Sequence, residues 1–172
     1  MIRKANHEDV EAIMAIVCEA QEALRQLNID QWQDGYPSPY VIHQDIEKGV
    51  GNVLLDVHDK IIGYAAIVFT GEDAYLQLEP AMWHTEDRYV VVHRLCVAAN
   101  LRRNGAATQL MLYAAQQARE RGLCAFRIDT HRGNIRMLSM LQKLGFEYCG
   151  IVHYPGGERL AYDLNIHTLK TL

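Results

Sequence analysis

The chain has 172 residues, enough for one domain with a sizeable core, and about half of its composition is apolar. A net charge of −4 excludes a general nucleic-acid or membrane-surface binder, because both need a basic face. No run approaches the roughly 20 apolar residues of a membrane span, and the opening MIRKANHEDV lacks the apolar centre of a signal peptide, so the expected location is cytoplasmic.

Taken in order, Ile2 to Ala5 suits a short strand. Asn6 with Asp9 three residues on is a capping pair. Val10, Ile13, Met14, Val17, Ala20, Leu24 and Leu27 then recur at helical spacing. Residues 28–39 (NIDQWQDGYPSP) break every period and form a loop. Its Trp32, Gln33 and Tyr36 suit either a ligand wall or a Trp-anchored cap over the core. Tyr40 to Lys48 is a short helix ended by Gly49 and Gly51. Residues 52–57 and 61–69 read as a hairpin around a polar turn. Thr70 to Arg88 reads as a polar, irregular connection of a length often functional, with most of its carboxylates in solvent.

Tyr89 to Val97 is a β-branched strand, followed by the basic turn Leu101-Arg102-Arg103-Asn104-Gly105-Ala106-Ala107. The apolar-periodic helix Thr108 to Arg121 comes next, stopped by Gly122. A helix start carries unpaired N–H groups and positive dipole, so an anion such as a phosphate or pyrophosphate suits this turn. Cys124 to Thr130 is the following strand, making a βαβ unit with parallel strands. Asn134 caps a helix to Leu144, stopped by Gly145. Residues 146–153 and 159–164 form a last hairpin across the turn at Tyr154 to Glu158. The four cysteines (Cys18, Cys96, Cys124, Cys149) show no C-x-x-C spacing and lie in apolar segments, which predicts buried free thiols and no metal. The sum is an α/β (α+β) fold in a single domain over residues 1–172, with a mixed sheet of six to seven strands and about four helices.

Leu95-Cys96-Val97 followed by Arg102-x-x-Gly105-x-Ala107 resembles the coenzyme-binding motif of the GNAT N-acetyltransferases. Asn134-x-x-Met137-x-x-x-Leu141-x-x-x-Gly145-Phe146 is similar to the family's second signature. The resemblance spans nearly the whole chain. It implies that the two central parallel strands splay apart around acetyl-CoA. It implies that backbone groups of Leu95, Cys96 and Val97 hold the pantetheine arm, and that Arg102, Arg103, Asn104, Gly105, Ala106, Ala107 and Thr108 hold the pyrophosphate. It also implies that Asn134 reaches the coenzyme from its helix. Dimers are common in this fold, so a homodimer is a further expectation.

Acetyl transfer to an amine needs a general base, a polarised thioester and a proton for the leaving thiolate. His93 is the candidate base: imidazole suits proton transfer near neutrality, and strand alternation places Val91, His93, Leu95 and Val97 on one face. In the family a tyrosine often supplies the thiolate's proton; here that position is Leu141, which cannot. Tyr148, Tyr154 or solvent are the alternatives. By analogy with the family's fold, the acceptor site is bounded by the loop after the first helix and by the late hairpin, which makes Trp32, Gln33, Tyr36 and Tyr154 the candidate acceptor contacts. His131 reads as a polar loop residue, and Arg127 and Arg132 as surface or structural pairs. The resemblance implies an acetyl-CoA-dependent N-acetyltransferase acting on a small-molecule or peptide amine. The alternative is a module of the same fold that binds acyl-CoA with little catalysis.

Overall fold

A computed structural model describes residues 1–79, 82–85, 88–101 and 104–169. It contains seven β-strands and four α-helices among these residues, a mixed α/β arrangement of the kind expected. The chain forms two compact units, residues 1–67 with 92–113 and residues 68–91 with 114–172. The strand β4 (Tyr89–Val97) and the helix α3 (Ala106–Glu120) contribute residues to both. None of the described helices is long and apolar enough to cross a membrane.

The first unit begins with β1 (Ile2–Lys4). Asn6 accepts from the amides of Glu8 and Asp9, and Asp9 accepts from the amide of Asn6. This reciprocal box satisfies the donors that a helix start leaves open. Arg3 grips the same Asp9 carboxylate with both amino groups at 2.6 and 2.8 Å, which holds that carboxyl below its ordinary range. A single 3-10 turn leads into α1 (Val10–Gln26), whose buried stripe is Val10, Ile13, Ile16, Val17 and Leu24. Leu27 falls outside the helix and is exposed, because Asn28 turns the chain into the left-handed region at φ +54. The helix α2 (Pro39–Glu47) starts with Ser38 as cap and proline in its first turn.

Antiparallel β2 (Gly51–Leu55) pairs with β1 on one side and with β3 (Ile61–Val68) on the other, and β4 follows β3 in the sheet. Gly63 matters to this order: a Cβ there would stand 3.2 Å from Leu110 and 3.4 Å from the carbonyl oxygen of Cys96. The core of this unit joins Ile13, Ile16 and Val17 of α1 to Ile42, Val53, Tyr64 and Cys96, with Trp32 packed on it.

In the second unit the first residues of β4 pair in parallel with β5 (Ala125–Thr130), Tyr89 with Ala125 through Val91 with Arg127. That ladder ends at Val91, although β4 runs on to Val97. The strand β7 (Gly157–Asn165) pairs antiparallel with both β5 and β6 (Glu147–Tyr154). Register shifts between Tyr148 and Gly150, so Cys149 is the extra residue of a bulge. The helix α4 (Ile135–Leu144) is capped by Asn134 and ended by Gly145 at φ +92.

Two sequence expectations need correction. The connection 70–88 is not wholly irregular: Asp73–Gln77 is a 3-10 helix, and Glu79 bridges to Ile151 through backbone bonds of 2.9 and 2.7 Å. The side chain of Glu72 caps that helix, and Tyr75 is buried under it. The four thiols are free as expected, but only Cys96 and Cys149 are buried; Cys18 is exposed. Cys18 lies between Val17, which faces the core, and Glu19, so it is turned outward on α1.

Candidate functional site

The described part of the basic turn links β4 to α3. From β4 the amide of Ala98 donates to Ile62 at 3.0 Å and that of Ala99 to the Glu19 carboxylate at 2.7 Å. A 3-10 turn over Ala99–Leu101 leads towards Asn104 and Gly105, both exposed. Gly105 adopts φ +77, a conformation that glycine takes without steric cost, and helix α3 begins at the next residue. Gln109 donates to Gly105 at 2.9 Å, so the amides of Ala106, Ala107 and Thr108 stand ahead of the first helical bond. A Cβ on Gly105 would meet no atom within 4 Å, leaving the backbone approachable. Arg102 and Arg103 lie outside the described residues. Leu95 and Val97 are half-buried and Cys96 is buried in the core of the first unit.

His93 is half-buried on β4. The alternation argued from sequence does not run through it to Leu95, because Arg94 adopts φ +54. A left-handed non-glycine residue inside a strand is strained, at a cost of order 1–3 kcal/mol, and must be held by its surroundings. The holding is visible. Arg94 donates from Nε and Nη2 to the two oxygens of Asp45, both at 2.7 Å, and from Nη1 to the Tyr36 hydroxyl at 2.6 Å. The hydroxyl of Tyr64 donates to Asp45 at 2.7 Å. Burial opposes the charge on Arg94, but Tyr36 and Asp45 outweigh it and raise the guanidinium's pKa. Burial, then Asp45, raises that of Tyr64.

This network decides how the aromatic loop sits. Tyr36 is tied through its hydroxyl to Arg94 and through its carbonyl to the Gln21 side chain at 3.1 Å. Gln33 donates to the Gln21 carbonyl at 3.0 Å. Trp32 packs on the core at φ +69. Trp32 thus anchors the loop on the core, as the cap reading expects, while Tyr36 and Gln33 are exposed. Asp45 and Arg94 were not legible as partners, since a single acid on a short helix and a single arginine on a strand carry no spacing signal.

In the second unit Asn134 spends its side-chain oxygen as the cap of α4, accepting from Met137 at 3.2 Å. The Tyr154 hydroxyl donates to Asp129 at 3.0 Å, as does that of buried Tyr75 at 2.8 Å. Burial, then Asp129, raises the pKa of Tyr75. Tyr148 is exposed on β6 against Tyr162. His131 accepts from Gly133 within its turn, and Arg132 pairs with Glu158 at the surface. Arg127 is no surface residue: it is 3% exposed, stacked 4.3 Å from Trp83 and 4.2 Å from Tyr89.

Leu141 is fully buried on the inner face of α4. A Leu141→Tyr substitution therefore adds volume to a filled core. It is expected to lower stability by about 1–3 kcal/mol without raising the rate of the acetyl transfer that the resemblance implies. Thermal unfolding and a turnover assay on the same preparation check this; a gain in rate would show that the position reaches reacting atoms.

A family model described as the acetyltransferase (GNAT) family matches residues 20–146. Among solved structures, a GNAT-family acetyltransferase from Streptococcus agalactiae is 31% identical, with a TM-score of 0.84 over 100% of this chain and 96% of that one. An acetyltransferase from Staphylococcus aureus is 26% identical, with a TM-score of 0.73 over 96% of this chain and 99% of that one. The PaiA N-acetyltransferase of Thermoplasma acidophilum, in complex with coenzyme A, is 16% identical, with a TM-score of 0.71 over 96% of this chain and 98% of that one. A search of curated proteins gives no match.

Proposed function

The chain belongs to the GNAT acetyltransferase family, and from that membership we propose that it transfers acetyl from acetyl-CoA directly to a primary amine of a small molecule or peptide. The observation that carries this reading is the start of α3, where Gly105 at φ +77 leads into three small or short residues with amides ahead of the helical ladder. These fit a pyrophosphate: dipole, donors and backbone access coincide. Arg102 and Arg103 add two positive charges beside it in sequence. The complex of the Thermoplasma relative with coenzyme A supports the same choice of ligand.

Acetyl-CoA supplies the activated acyl group. Backbone groups of Leu95 and Val97 orient its pantetheine arm in the manner of an added strand. His93 takes a proton from the acceptor's ammonium group, directly or through one water, and the neutral amine so formed attacks the thioester. Trp32, Gln33 and Tyr36 bound the acceptor, with Tyr36 fixed by Arg94. The leaving thiolate draws its proton from solvent. A thiol is acidic enough for this, with an ordinary pKa of about 8.5, and Leu141 offers no proton. Positioning of amine against thioester supplies much of the remaining rate.

Release of free thiol from acetyl-CoA across a panel of primary amines tests the reading. Turnover is expected on at least one amine. Reversing both charges, Arg102→Glu with Arg103→Glu, is expected to raise KM for acetyl-CoA by roughly 10–100-fold, as the loss of charge-assisted bonds predicts. Undiminished affinity refutes the placement of the pyrophosphate. The buried Leu141 favours the second reading, an acyl-CoA-binding module; tight coenzyme binding with no turnover on any amine supports it.

A further inference from the structure

His84, Cys149 and Asp163 come together within the second unit, far from one another in sequence. Cys149 Sγ lies 3.4 Å from His84 Nδ1, and Nδ1 lies 3.0 Å from Asp163 Oδ1. All three donor atoms fall within 4.8 Å of one another. The two edges that meet at His84 are close to those of a tetrahedral face. Ordinary zinc bond lengths place a nitrogen and an oxygen ligand about 3.3 Å apart, and a sulfur and a nitrogen ligand about 3.6 Å apart. From this geometry we infer that His84, Cys149 and Asp163 form a binding site for a thiophilic divalent cation, with Zn²⁺ the best fit.

Three further features support the assignment. Asp163 is 1% exposed, and its second oxygen, Oδ2, is already fixed by the amides of His84 and Thr85 and by the Thr85 hydroxyl at 2.7–2.9 Å. The remaining oxygen is thereby aimed at the imidazole, as outer bonds aim the carboxylate ligands of metal sites. The bulge in β6 is what presents Cys149: it is the residue with no counterpart in the β7 register. The imidazole is half-exposed, which leaves an approach and a fourth position on the solvent side for water.

The charges also close. A thiolate, a carboxylate and a neutral imidazole around a divalent ion sum to zero, so the buried cluster carries no net charge. Cys149 is a free thiol, whose proton leaves when the metal takes the thiolate form. Binding forms the sulfur–metal bond and releases that one proton to solvent. A thiolate and an imidazole in the set favour zinc over magnesium or calcium, which take oxygen ligands. The sequence carries no zinc spacing because the three donors come from a connecting segment and two strands. The metal would clip the segment around His84 to the β6–β7 hairpin.

Cobalt titration of the full chain, after stripping with a chelator, tests the site. Saturation at one Co²⁺ per chain is expected, with visible bands of a tetrahedral ion and a near-ultraviolet thiolate charge-transfer band. Zn²⁺ is expected to erase both. Zinc at a hundredfold excess over its Kd is expected to raise the melting midpoint by roughly 5–11 °C. Cys149→Ser and His84→Ala abolish these signals, while Cys18→Ser and Cys124→Ser keep them. His84→Ala alters an exposed side chain and is expected to fold, as circular dichroism will verify. Absence of the charge-transfer band at saturating cobalt overturns the proposal, as does a band that survives Cys149→Ser. None of these readings depends on acetyl transfer.

Discussion

Replacing His93 with alanine is expected to lower kcat/KM for acetyl transfer by roughly 10²–10⁴-fold, the range over which a positioned general base acts. The affinity for acetyl-CoA is expected to stay within a few-fold of the parent. The two effects separate because the proposed coenzyme contacts on β4 are backbone groups, which the substitution leaves in place. The pH profile gives the sharper reading. A parent whose rate is limited by a side-chain base loses rate as that base is protonated, and this acidic limb should vanish in His93→Ala. Steady-state rates across pH, with coenzyme affinity measured in parallel, decide the matter. A variant with a near-parental rate and an unchanged pH profile removes His93 from the mechanism.

The second large effect concerns stability. Asp45→Ala is expected to cost about 3–5 kcal/mol, because it leaves the guanidinium of Arg94 buried without its carboxylate. The side chains of this pair are 13% and 6% exposed, so solvent cannot replace the lost partner. Tyr64, whose hydroxyl donates only to Asp45 among the bonds described above, loses its acceptor in the same step. Removing both charges with Asp45→Ala and Arg94→Met is expected to recover much of the loss, as an uncharged pair carries no desolvation penalty. Urea unfolding of the two single variants and the double variant measures the coupling. A cost below about 1 kcal/mol for Asp45→Ala would mean that the pair is as weak as an exposed one.

The fold was largely legible because it is written in local terms. The Asn6–Asp9 box, the helical stripe of α1 and the Gly145 stop each need only a few neighbouring residues to be recognised. The β4–turn–α3 segment was legible for the same reason, since a β-branched run, a glycine and an apolar period occur in one stretch. What escaped is what the chain brings together from a distance. Arg94 meets Asp45 across 49 residues and Tyr36 across 58. Its left-handed conformation is imposed by those partners, so periodicity on β4 could not foretell it. For Arg127 the structure rules out the surface alternative and leaves a structural role, with stacking partners, Trp83 and Tyr89, that lie 44 and 38 residues away. Tyr75 and Asp129, likewise, are 54 residues apart.

The distribution of cysteines has a consequence for watching this molecule move. Each compact unit holds one buried thiol, Cys96 in the first and Cys149 in the second, while Cys18 stands in solvent. A thiol-specific reagent reaches a buried sulfur only when the structure around it opens. Applied to the native, metal-free chain with Cys18 replaced by serine, labelling at Cys96 and at Cys149, resolved by peptide mass, becomes a pair of clocks. Each clock reports the opening free energy of its own unit, with no probe introduced into either core.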